Sequence, residues 1–202
     1  WWEAPVVMAL AEPDSLGLLN NHFNQYGMLD NEAWGRPRDL QKYPGLAGFA
    51  AYTMDLNYRY WNVGFKTPPT AGSASGVLPN PVGYNRIYAP VAGSFTADKW
   101  YRAIQGNRHF VTNGPMLFFK ADRKGRGQID VRAREAIDRV ELLGNGKVIR
   151  TWNAPSAGNT LRVTFAVNTR KLTWLAARCF VKNSETVRLA HSSPVFVNGT
   201  YD

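Results

Sequence analysis

Three histidines, His22, His109 and His191, are the only imidazoles in the chain, and Cys179 is its only thiol. Imidazole serves as general base, proton shuttle or metal ligand near neutral pH, so these positions are where chemistry is sought first. No two of them stand at His-x-His or His-Glu-x-x-His spacing, so no local metal motif is present. A single cysteine excludes an internal disulfide and a cysteine-based zinc site. Cys179 falls in the alternating run Leu175 to Val181, which predicts a buried structural thiol. His109 follows a helix end and reads as a capping or partly buried side chain. His191, in Ala190-His191-Ser192-Ser193-Pro194, reads as a tie between a strand end and a loop. His22 differs from both. It follows Leu16-Gly17-Leu18-Leu19, a short apolar run that predicts a buried strand, and α/β folds place their sites at C-terminal strand ends. Gly72 to Gly76 approximates a nucleophile elbow but has Ala74 at the nucleophile position. There is no P-loop and no dinucleotide-binding glycine motif.

The stretches around His22 and Gly72 are small, rigid and polar, which suits a wall where backbone approaches a ligand. Asn21, His22, Ser73, Ser75, Asn80, Tyr84, Asn85 and Arg86 are the candidate lining of a pocket for a sugar-like or anionic ligand. Arg59 or Arg86 would hold negative charge. Trp1, Trp2, Trp34, Tyr43, Tyr58, Tyr60, Trp61 and Tyr84 either line such a pocket or pack the core.

The net charge of +9 raises the question of nucleic acid, but its distribution argues against that reading. Residues 1–95 hold six basic and seven acidic side chains, leaving 18 basic and eight acidic in the other 107. Within that second half the charges are spaced singly, with no block of five or six, as on the solvated face of a sheet. No nucleic-acid partner is expected, and no apolar run reaches the ~18 residues of a membrane-spanning helix. The chain opens at Trp1 inside an apolar segment, so it is expected to be a piece of a longer polypeptide.

These residues need elements to position them. Trp1 to Leu19 predicts a helix, a turn and a strand, and residues 24–48 predict a long ordered loop. Tyr52, Leu56, Tyr60 and Val63 predict a helix from Ala51 to Phe65, with Asp55 and Arg59 four apart and Gly64 ending it. Ile87 to Val91 predicts a strand, and Thr96 an N-cap for a helix that stops at Gly106. From Met116 onward short alternating segments separated by turns predict an all-β sandwich. Its clearest signal is Asn145-Gly146 between Leu142-Leu143 and Val148-Ile149. The expected class is α+β, with a domain boundary near residue 115 that separates 1–115 from 116–202. Trp174 or Trp152 is expected to pack the sandwich on the first half.

Several segments in order carry a family resemblance. They are Asn21-His22-Phe23, Glu32 to Arg38, Ala71 to Gly76 leading into Gly83-Tyr84-Asn85-Arg86, and Phe110-Val111-Thr112-Asn113-Gly114-Pro115. Val140-Glu141-Leu142 with Asn145-Gly146-Lys147, and Ala190-His191-Ser192-Ser193-Pro194, complete the series. Together the chain resembles the C-terminal part of carbaryl-hydrolase-like (CehA/McbA) metallohydrolases of the PHP superfamily. The resemblance implies a partial PHP-like distorted (β/α) barrel followed by an immunoglobulin-like β-sandwich, in an exported bacterial protein. It also implies hydrolysis of ester, carbamate or phosphate-type bonds at a divalent metal cluster of zinc, manganese or iron. The late ligands of that family come from a Gly-Ser-Asp-x-His stretch. Here the matching residues are Gly72-Ser73-Ala74-Ser75-Gly76, and neither Ala74 nor Gly76 has a side-chain donor.

Two expectations follow. In the first, the scaffold has lost its metal-dependent site, binds no cofactor within this chain, and acts as a binding or structural module beside the upstream part of the same polypeptide. In the second, it is a metal-dependent hydrolase whose remaining ligands lie upstream, with His22 as a ligand or base.

Overall fold

The computed structural model describes residues 3–29, 36–155, 157–182 and 185–198. Trp1, Trp2 and Trp34, and the Glu32 to Gly35 part of the resemblance, lie outside them. A short helix, α1 (Ala4–Leu10), begins with proline in its first turn and leads to β1 (Leu16–Leu19). A two-residue hairpin, β2 (Phe23–Asn24) and β3 (Gly27–Met28), follows. The long helix α2 (Gly45–Asn62) then crosses back to β4 (Pro69–Ala71), which pairs in parallel with β1. A parallel pair needs such a crossover, and α2 supplies it. The remaining elements before residue 115 are β5 (Arg86–Tyr88), α3 (Ala97–Gln105) and β6 (Phe110–Thr112).

Beyond that point every element among the described residues is a strand. The strands are β7 (Met116–Ala121), β8 (Arg126–Arg132), β9 (Ile137–Gly144), β10 (Lys147–Asn153), β11 (Thr160–Ala166), β12 (Trp174–Val181), β13 (Leu189–Ser192) and β14 (Val195–Phe196). They form a three-stranded sheet ordered β11-β8-β7 and a seven-stranded sheet ordered β10-β9-β12-β13-β6-β5, with β14 paired to β12. The architecture is mixed α+β and mostly β. β5 and β6, although they precede residue 115, are strands of the same sheet as β9 and β12.

The seven-stranded sheet is the middle layer, and the alternation of its side chains shows both faces covered. From β12, Leu175, Ala177, Cys179 and Val181 point to the three-stranded sheet and meet Leu117, Ile129, Val131 and Phe165. Trp174 and Ala176 point the other way and meet Leu18, Leu19, Phe49, Met54, Tyr58 and Trp61. Trp174 therefore joins the seven-stranded sheet to α2, while Trp152 packs with the core between the two sheets. Cys179 is fully buried, and burial pushes its thiol up to about 12.

Three places differ from the sequence expectation: the 24–48 stretch, the start of α2 and the strand at Ile87 to Val91. The 24–48 stretch holds a hairpin and the first turn of α2, which starts six residues before Ala51. The stripe on α2 that meets the sheet is Phe49, Ala50, Met54, Tyr58 and Trp61, whereas Tyr52, Leu56 and Tyr60 are half-buried and Val63 is exposed. Both stripes have helical spacing, and the sheet selects the one with the larger aromatic area. The strand expected at Ile87 to Val91 is limited to Arg86–Tyr88, since Pro90 cannot donate to a ladder. Other signals match the structure. Thr96 accepts a hydrogen bond from the Lys99 amide, and Gly64, at φ +101°, lets Phe65 N–H reach the Tyr60 carbonyl.

Candidate functional site

Because β1 and β4 are parallel, the loops at their C-terminal ends open on the same side, Asn20 to His22 after one and Gly72 to Ser75 after the other. Asn85 ties these loops together. Its Nδ2 donates to the carbonyls of Asn20 and Gly72 at 2.9 Å each, and its amide donates to Ser73 Oγ at 2.9 Å. Asn80 Nδ2 donates to the Ser73 carbonyl at 3.2 Å, while its Oδ1 accepts from the Gln25 amide. Tyr84 donates its hydroxyl to the Asn24 carbonyl at 3.2 Å. The structure thus brings together His22, Ser73, Asn80, Tyr84 and Asn85, all of them buried. Asn21 lies half-buried in the first loop. Arg59 is placed elsewhere, on the exposed side of α2, where it grips Asp55 at 3.1 Å.

His22 has a defined tautomer. Its Nδ1 lies 3.2 Å from the Leu29 carbonyl, which can only accept, so Nδ1 carries the proton and Nε2 is the free acceptor. The ring stacks on Phe49 at 4.7 Å, and Nε2 has no partner among the described residues. Three further atoms of this loop system are buried without a hydrogen-bond partner among the described residues: Ser75 Oγ, Asn85 Oδ1 and Arg86 Nε. They offer a hydroxyl, an acceptor and a donor. Buried polar atoms are seldom left unmatched, because each costs ~1–3 kcal/mol. Between them the backbone is unusual. Ala74 sits at φ +47° and Gly76 at φ +93°, a region that disfavours any residue with a Cβ.

The donor set does not fit a metal cluster within the described residues. No group of three or more His, Cys, Asp or Glu comes together among them, and Ala74 and Gly76 contribute none at the mouth.

The other two histidines are internal fasteners. His109 Nε2 donates to the Pro69 carbonyl at 2.7 Å, leaving Nδ1 to accept from Ser193 Oγ at 3.0 Å. Burial lowers its pKa, so it stays neutral and joins β4 to the end of β13. His191, fully buried in β13, donates from Nδ1 to the Ser192 carbonyl at 2.7 Å and accepts at Nε2 from the Tyr58 hydroxyl at 2.7 Å. The expected tie from His191 to a loop is instead a tie to α2. The Val-Thr-Asn-Gly-Pro and Ala-His-Ser-Ser-Pro segments are neighbours, through pairing of β6 with β13. Asn113 fastens the first to the residues just before the second, donating to the Val187 carbonyl and accepting from the Leu189 amide.

Sequence reasoning missed the network that continues from His191. Tyr58 accepts from Arg178 at 3.3 Å; Arg178 donates to Glu141 at 2.5 Å, and Arg139 donates to the other Glu141 oxygen at 2.8 Å. Burial holds the Tyr58 phenol near 12 and pushes His191 down to about 3. The available signal was a charged residue at an inward position of β12, legible only once both faces of that strand are known to be covered. A cleft of about 440 Å³ between α2 and the ends of β9 and β12 borders this network. Its cations are already matched: Arg139 and Arg178 by Glu141, Arg188 by Glu135, and Lys42 by Asp55.

Comparison with family models, with curated proteins and with solved structures finds no match.

Proposed function

We propose that this chain is the C-terminal part of a carbaryl-hydrolase-like protein of the PHP superfamily, with a partial barrel joined to an immunoglobulin-like sandwich, and that it works as a binding module. The carrying observation is the loop system at the C-terminal ends of β1 and β4. It is fixed in place by Asn85 and retains three unmatched buried polar atoms, Ser75 Oγ, Asn85 Oδ1 and Arg86 Nε. Such a site suits a small ligand that both donates and accepts, a sugar-like or anionic molecule held by hydrogen bonds to a fixed frame. The positions that carry acidic and imidazole ligands in the resembled family are Ala74 and Gly76 here, so the site binds without the chemistry of a metal cluster. Thermal unfolding in millimolar phosphate, and separately in millimolar glucose, tests this reading. Stabilisation by either ligand, reduced in Arg86→Gln, supports it; no shift with both ligands at saturating millimolar levels overturns it.

One observation favours a second reading, a metal-dependent hydrolase completed by upstream residues. His22 donates from Nδ1 to a backbone carbonyl and leaves Nε2 open, the orientation that metal-ligating histidines adopt. Stoichiometric zinc, manganese or iron in the full-length protein, lost in His22→Ala, selects this reading.

A further inference from the structure

About half of the excess positive charge of the second half gathers where three turns of the two sheets adjoin. The turns are Asp122 to Arg126 between β7 and β8, Asn145 to Lys147 between β9 and β10, and Val167 to Thr173 between β11 and β12. They are fastened to one another. Val167 N–H donates to the Gly125 carbonyl, Thr169 Oγ1 to the Arg123 carbonyl, and Asn145 Nδ2 to the Lys171 carbonyl. Asn145 Oδ1 in turn accepts from Thr173. Gly125, at φ +78°, is required by this joint, since a Cβ there would lie 2.3 Å from the Val167 carbonyl oxygen.

This fixed group of turns presents Arg123, Lys124, Arg126, Lys147, Arg170 and Lys171, all exposed, against one carboxylate, Asp122, which Arg126 occupies at 3.1 Å. The other five have no acidic partner among the described residues. Five unmatched cations on a braced surface are a strong local field, of the size that draws a domain onto a polyanion. The shape narrows the kind of polyanion. None of the three turns contains an aromatic residue, so bases have nothing to stack on, and neither the cleft beside α2 nor the one lined by Phe118, Lys120, Gln128, Asp130 and Arg132 includes any of the six cations. Three turns fastened side by side suit a broad surface better than a strand that must lie in a groove.

We infer that this group of turns docks on an anionic lipid surface. The contact is electrostatic and superficial, since the turns carry no exposed apolar wedge to enter the bilayer. It is separate from the loop site at β1 and β4, and does not depend on what that site binds.

Sedimentation with phosphatidylglycerol–phosphatidylcholine vesicles tests the inference, with pure phosphatidylcholine vesicles and a short duplex DNA as comparisons. At an ionic strength of about 0.1 M the wild-type chain is expected to pellet with the anionic vesicles alone and to be released by high salt. Each cation removed is expected to weaken binding about fivefold, so Lys124→Gln, Arg170→Gln and Lys171→Gln together cost about a hundredfold. These side chains are exposed and leave Gly125, Asn145 and Thr169 in place, and an unchanged melting temperature checks that the variant folds. The inference is overturned if the wild type ignores anionic vesicles, if the triple variant binds as well as the wild type, or if duplex DNA binds more tightly than the vesicles at the same salt.

Discussion

Replacing His191 by glutamine probes the buried network through its pH dependence. The folded protein holds this imidazole neutral down to about pH 3 because burial, with Arg178 nearby, disfavours its charged form. An unfolded chain takes up the proton near the ordinary 6.5. Between these values the unfolded state binds more protons than the native state, so stability must fall as pH is lowered. With the folded pKa at about 3, this single group accounts for a loss of about 2 kcal/mol between pH 7 and pH 5. At pH 7 the His191→Gln variant is expected to be less stable by ~1–3 kcal/mol, because the bonds to Tyr58 and the Ser192 carbonyl are disturbed. It no longer titrates, so its deficit should shrink by about 2 kcal/mol on moving to pH 5. Urea unfolding of both proteins at the two pH values measures this directly. A deficit that stays constant across that range means that His191 is not a neutral buried group, and the reasoning fails.

Other consequences can be checked on the same protein. Cys179, with its thiol pushed up to about 12 in the core between the two sheets, should react with a disulfide reagent only as fast as the protein unfolds, and rapid labelling of native protein would contradict its burial. Gly146→Ala should lose about 1 kcal/mol or more in denaturant melts, because φ is +82° and the new Cβ would sit 3.1 Å from Tyr58 Cβ. Asn85→Ala should cost ~2–3 kcal/mol, since the carbonyls of Asn20 and Gly72 lose their shared donor. Hydrogen exchange should then rise in the loops after β1 and β4, and exchange unchanged there would remove Asn85 from its joining role.

Local chemistry was legible in the sequence wherever a residue acts on its own backbone. Thr96 caps a helix, Asn145-Gly146 turns a hairpin with both residues at positive φ, and the alternation of β8 and β11 marks a sheet with one buried face. What depends on distant contacts was less legible. The start of α2 reads as loop because Gly45 and Gly48 are poor helix formers, yet Gly48 belongs there. A Cβ on it would lie 2.2 Å from the Tyr43 carbonyl oxygen, so the helix can begin only with glycine at that position. The buried stripe of α2 is not legible because the helix is apolar on more than one side, and only the opposing sheet decides which side is covered. Of the candidate site, the place of His22 after the Leu16–Leu19 strand was legible, whereas β4, which brings Ser73 to the same side, opens on the two prolines of Thr67-Pro68-Pro69 and gives no strand signal. Arg59 does not join them because Asp55, one helical turn away, is a nearer partner. The His191–Tyr58–Arg178–Glu141 network was hidden, since its members are far apart in the chain and only the three-layer packing unites them.

Whether the loops at the ends of β1 and β4 close a catalytic ion centre is settled by counting metal. The full-length protein is purified without chelator, exposed to zinc, manganese and iron, desalted and analysed by mass spectrometry, alongside His22→Ala. A binding module built around Ala74 and Gly76 retains less than one ion per chain, with no difference between the two proteins. One or more tightly held ions per chain, lost in His22→Ala, would contradict the account.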